Sequence, residues 1–203
     1  MGGSGGCSVC VANEVPAPPD FLTGSPTVLP GGIAGFIVIR GDVTFTDIQS
    51  QTEWEAKIAA NTLRGRLNGC RISGSKGQSE TTTKKRGACA AEEVTGRTQV
   101  WNITDLENDD DYSMHDFYEW IRANKTCLKI AFVTCDYRVY GFVPATSPAG
   151  TFMPISALDV DDEISETSDD DASIKMTVRT KQVGLIKPIL VPFLETIAAD
   201  LKG

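Results

Sequence analysis

The stretch "ASIKMTVRT", residues 172–180, constrains the fold of this chain more than any other. Ile174, Met176 and Val178 alternate with Lys175, Thr177 and Arg179. Successive side chains of a strand point to opposite faces, so this period of two predicts a strand with one buried and one wet face. The same grammar recurs elsewhere. "GFIVIRGDVTF" (35–45) is rich in β-branched and aromatic residues and predicts the first strand, and "EVTGRTQVWNITDL" (93–106) a longer one. In "CLKIAFVTCDYRVYGFV" (127–143), Leu128, Ile130 and Phe132 share one face and "CDYR" supplies a hairpin turn. "FMPISALDV" (152–160) predicts a further strand, and "RLNGCRIS" and "ETTTKKRG" two more around the turn-rich "GSKGQS". That gives about eight strands in hairpin order, without the strand–helix alternation of a parallel sheet. The expected fold is mainly β (α+β): an antiparallel β-sandwich or partial barrel with two or three flanking helices.

The helices declare themselves by capping and by period. Thr52-Glu-Trp-Glu55 has the form of a capping box, Trp54 and Ile58 lie on one helical face, and Gly65 is the expected stop. A second helix is expected from Ser113, with Asp116 at a capping position and Phe117, Trp120 and Ile121 as its buried stripe. "LIKPILVPFLETIAADLKG" reads as an interrupted strand and a short helix.

Residues 1–34 carry neither period. Their Gly- and Pro-rich runs, "MGGSGGCSVC", "VPAPPD" and "SPTVLPGG", predict an extended arm, which leaves residues 35–203 as one β-rich domain. The start lacks the basic and apolar regions of a signal peptide, and no apolar run reaches the roughly 18 residues that span a bilayer. A membrane partner is therefore not expected.

Charge is concentrated. The net charge is −8, with 27 acids against 19 Lys and Arg. Asp159, Asp161, Asp162, Glu163, Glu166, Asp169, Asp170 and Asp171 make up the whole excess in 13 residues. The bland expectation is a solvated loop between strands ending near Val160 and beginning near Ala172. The counterweight is Arg64, Arg66, Arg71, Lys76, Lys84, Lys85 and Arg86, opposed within that segment by Glu80 alone. No aromatic residues interleave those bases, as a stacking surface for single-stranded nucleic acid would need, and the chain as a whole is acidic. Sequence-specific nucleic-acid binding is not expected. The sharper expectation is that the acidic and basic segments form a subunit contact.

Chemistry is harder to find. The acidic run places Ile164 where an EF-hand needs Gly, and Asp170 where it needs a bidentate Glu. Cys7-Ser-Val-Cys10 is half a zinc site; Cys70 and Cys89 fit no usual spacing with it, and His115 is the sole histidine. "GCRISGSK" lacks the lysine directly after the second glycine of a phosphate-binding loop. His115 cannot be faced on a helix by its neighbour Asp116, so no nucleophile–base arrangement is encoded. No catalytic residue, metal site or cofactor is expected.

In the order of its elements the chain resembles bacteriophage tail tube proteins. The resemblance is carried by "GFIVIRGDVTF", "KKRGACAAEEVTGRTQVWNITDL", "HDFYEWIRANKTCLKIAFVTCDYRVYGF" and "ASIKMTVRTKQVGLIKPILVPF", between Gly35 and Phe193. It implies a non-enzymatic virion subunit that self-assembles into stacked rings around a channel. It further implies contact with other virion proteins and assembly in the host cytoplasm. The family has no catalytic motif, so it assigns no residue a role. The Cys- and Gly/Pro-rich start departs from the family's short arm and leaves capsid decoration or a neck component open. A metal- or carbohydrate-binding β-sandwich module is the alternative outside the virion.

Overall fold

The computed structural model describes residues 32–67, 72–85, 92–106, 113–146, 148–163, 173–181, 187–198 and 200–202. Eleven strands occur among them: β1 (Ile33–Arg40), β2 (Leu63–Leu67), β3 (Ile72–Lys76), β4 (Glu80–Lys85), β5 (Glu92–Leu106), β6 (Leu128–Thr134), β7 (Arg138–Tyr140), β8 (Phe142–Thr146), β9 (Ala149–Glu163), β10 (Ser173–Lys181) and β11 (Ile189–Leu190). The helices are α1 (Gln51–Ala59), α2 (Ser113–Asn124) and α3 (Leu194–Ile197). The strand pairings are antiparallel. Six of the strands close on themselves in the order β1, β3, β5, β10, β9, β6, because β6 pairs both β1 and β9. The mainly-β expectation holds, in the form of a closed barrel carrying extra strands.

β1 and β6 are the wall on which everything else is built. Phe36 and Val38 of β1, with Leu128, Ile130 and Phe132 of β6, face the barrel interior, where they meet Trp101, Ile103, Met153, Ile174, Met176 and Val178. Ile37 and Ile39, with Ala131 and Val133, face outward into a second core with Phe45, Trp54, Phe152, Leu194 and Leu201. A strand covered on both faces reads as an unbroken apolar run, and "GFIVI" and "IAFV" are such runs. β2 pairs antiparallel alongside β1 at close range: a Cβ on Gly35 would strike the Arg66 carbonyl oxygen and the Leu67 side chain.

Several boundaries differ from expectation for identifiable reasons. The first strand starts at Ile33 and ends at Arg40. α1 is capped two residues earlier than Thr52: Ser50 accepts from the Glu53 N–H, and Glu53 reaches back to the N–H groups of Thr46 and Asp47, at 2.9 Å from each. α1 ends at Ala59, and the chain reverses through Asn61 at φ 54°. Gly65 is therefore no stop; it lies inside β2 against Phe36. The "GSKGQS" segment does not turn the chain. β3 and β4 both run antiparallel to β5, with Gly77 N–H donating to the Val100 carbonyl between them, so residues 72–85 form one interrupted strand. On α2 the buried residues are Tyr118 and Ile121, with Phe117 partly buried, whereas Trp120 is 51% exposed. β9 continues to Glu163, so Asp161, Asp162 and Glu163 belong to a strand and not to a loop.

Candidate assembly surfaces

The barrel axis has two unlike ends. At one, Leu106 of β5 is registered with Ser173 of β10, which is registered with Glu163 of β9. Asp159 and Asp161 are exposed on the outer face there, with Lys175 registered opposite Asp161. The main-chain register puts Asp162 and Glu163 on the last two paired positions. Glu166, Asp169, Asp170 and Asp171 lie outside the described residues. So do Glu107, Asp109, Asp110 and Asp111, which follow Leu106 directly in the sequence. That second acidic run is missed when the sequence is read segment by segment.

At the other end, β4 and the first half of β5 leave the barrel. β10 pairs β5 from Thr98 onward, so Glu92–Arg97 pair with β4 alone. The result is a two-stranded ribbon extending about 20 Å past the barrel, at roughly 3.3 Å per residue. Every residue of β4 is exposed. Its outer edge has no strand beside it among the described residues, which leaves N–H and C=O groups free to pair with another chain. Lys84 and Lys85 stand on this ribbon, registered against Glu93 and Glu92. Lys76, Arg179 and Lys181 are exposed toward its base.

The seven bases expected to act together are thus dispersed. Lys76, Lys84 and Lys85 follow the ribbon, and Arg71 and Arg86 lie outside the described residues. Arg64 bonds to Asn61 Oδ1 and to the Asp200 carbonyl. Arg66 is committed internally. Its guanidinium holds Asp105 through Nε and, at 3.1 Å, through a second nitrogen. Asp105 is buried, and Tyr118 Oη donates to it at 3.0 Å. Burial and the adjacent carboxylate push the Tyr118 hydroxyl far above the usual phenol range, which keeps it a donor. This cluster fastens α2 to the barrel, since a lone buried carboxylate would be costly.

The ribbon base holds two further donors. Gln99 is buried, its Oε1 accepting from Ser79 Oγ at 2.5 Å, while its Nε2 and Arg97 Nε have no hydrogen-bond partner among the described residues. Cys127 and Cys135 are free and exposed; Cys7, Cys10, Cys70 and Cys89 lie outside the described residues. No helix among the described residues is long and apolar enough to cross a membrane.

No protein-family model and no curated protein matches the chain. Two solved structures overlap it in part. A chain in the virion of a native gene transfer agent particle is 12% identical over 58% of this chain and 82% of its own length, with a TM-score of 0.29. A chain in the tail of an empty gene transfer agent particle is 12% identical over 57% and 78%, with a TM-score of 0.28. Superposition at that level is too loose to carry an argument about this chain.

Proposed function

We propose that this protein is a non-enzymatic subunit of a phage-type virion that stacks on copies of itself, most specifically as a tail tube protein. One observation carries the reading: the barrel presents the exposed Asp159 and Asp161 toward one end and, toward the other, a ribbon with Lys76, Arg179 and Lys181 at its base and an edge that has no strand beside it among the described residues. Opposite features on opposite ends make a head-to-tail contact, which repeats from copy to copy and does not close on a dimer. Charge at such a contact fixes register and steers approach. The dispersal of Arg64 and Arg66, with Lys84 and Lys85 registered against Glu93 and Glu92, narrows the basic partner from the whole 64–86 segment to the base of the ribbon, Lys76 with Arg179 and Lys181. The bare edge of β4 supplies main-chain pairing that charge alone would lack.

The test is assembly of the purified full chain at high concentration, followed by negative-stain microscopy and sedimentation. Rings or stacked filaments are expected. Salt should weaken them as the Debye length falls below about 10 Å, near 0.1 M. Replacing Asp169, Asp170 and Asp171 with Asn should shift the onset of assembly to higher concentration. A protein that remains monomeric, or whose assembly ignores both salt and the substitutions, refutes the proposal.

A further inference from the structure

A shallow groove of about 210 Å³ runs between the C-terminal half of α2 and the adjoining ends of β1, β2 and β6. Val38 and Leu128 form its apolar floor, Trp120 one wall, and Arg40, Arg64 and Asn124 its polar rim. Trp120 is half exposed, while Trp54 and Trp101 are fully buried. α2 thus places a tryptophan outside the core although Tyr118 and Ile121, two and one positions away, fill it. The groove is smaller than the roughly 300 Å³ at which small-molecule clefts begin, so it suits one or two side chains of a peptide.

We propose that this groove is the seat of the chain's own proline-rich segment, residues 15–22, "VPAPPDFL". Pro16-Ala-Pro18-Pro19 favours the polyproline II conformation, which is already ordered before it binds and so loses little entropy. Aromatic-walled grooves take such segments by packing a proline ring against the aromatic face. Asp20 follows the prolines directly, and the rim supplies two guanidinium groups, of which Arg40 is already held by Asp42 at 2.6 and 2.9 Å, so that Arg64 is the one that carries the charge contact. Arg64 is held there by Asn61 and the Asp200 carbonyl. The reach is sufficient. Twelve residues separate Asp20 from Gly32 and extend up to about 40 Å. The length of β1, from Ile33 to Arg40 at the groove, is only about 23 Å.

Because Trp120 alone of the three tryptophans is exposed, acrylamide quenching of the full-length protein reads the groove directly. In the wild type all three should resist quenching. In full-length protein carrying Pro16→Ser, Pro18→Ser and Pro19→Ser, the emission of one tryptophan should become quenchable, with the far-UV circular dichroism of the folded barrel retained and the melting temperature lowered by a few degrees at most. A synthetic peptide of residues 13–24 should restore protection to that variant, and the same peptide with Asp20→Lys should bind it several-fold more weakly. Trp120→Phe in the variant background should remove the quenchable emission, which assigns it. The proposal is overturned if Trp120 is already quenchable in the wild type. Protection that survives the proline substitutions overturns it equally, since another occupant then fills the groove. Neither reading depends on whether copies stack.

Discussion

The β1–β6 wall and the β4–β5 ribbon are built from the same antiparallel pairing and have opposite fates. Seven of the eight residues of β1 are buried; all six of β4 are exposed. Main-chain hydrogen bonds are therefore common to both, and what differs is side-chain burial. At roughly 25 cal/mol per Å² of apolar surface, burial is the term that decides stability. The wall holds the fold together and leaves nothing for a partner. The ribbon contributes little to the fold and keeps its edge available. An isolated two-stranded ribbon is at best marginally stable in water. This one persists as an extension of β5, anchored by the barrel.

The largest expected effect separates the two regions directly. Phe132 is fully buried and stacks on Trp101 with ring centroids 4.3 Å apart. Phe132→Ala should lower unfolding free energy by about 4 kcal/mol through lost transfer energy and a residual cavity. Thr82→Ala on the ribbon should stay within about 0.5 kcal/mol. Urea denaturation of both variants is the measurement, and comparable losses would erase the distinction between wall and ribbon.

How much of this was legible in the sequence follows the same division. β10 was readable because its two faces meet different media, and the alternation records it. The double cover of β1 and β6 was not, since an unbroken apolar run says both faces are buried without saying by what. Trp120 and Tyr118 sit about 200° apart on α2, one on each flank of Phe117 and Ile121, and the helical period alone does not say which flank is buried. Ser50-x-x-Glu53 and Thr52-x-x-Glu55 are overlapping capping boxes, and only the path of residues 46–47 selects the first. The acidic excess could be counted from the sequence. That Asp159–Glu163 end up at the far end from the ribbon depends on β5 pairing β3, β4 and β10 at once, which is long-range information.

The wall's inner cover offers the next test. α2 is fastened to the barrel by Asp105, which receives Arg66 and Tyr118. Arg66→Met leaves that carboxylate buried with Tyr118 as its remaining side-chain partner and should cost about 3 kcal/mol. Adding Asp105→Leu should recover most of the loss, because no buried charge then remains. A double variant no more stable than the single would show that the pair supplies more than neutralisation, and that the inner cover is polar by necessity.

The outer cover is fastened more lightly, by Glu53 of α1. Its carboxylate accepts from Thr46 and Asp47 N–H and from Lys57 Nζ at 2.8 Å, while Lys57 also lies over the Phe45 ring at 4.9 Å. Burial works against the charge, but Lys57 and the two backbone donors outweigh it and hold the group below the usual carboxylate range. A depressed pKa in the folded state means the unfolded chain takes up the proton first as pH falls. The stabilisation is therefore complete above the unfolded value, about 4.3. It is lost progressively as pH drops through the folded value. Glu53→Gln should cost about 1 kcal/mol at neutral pH, the usual worth of a helix cap. The gap between variant and wild type should close on acidification below pH 4, followed by urea titration at each pH. A gap that stays constant would mean that the amide loses the fit to the Thr46 and Asp47 N–H groups rather than charge. The outer cover would then be fastened by that fit and not by the charge on Glu53.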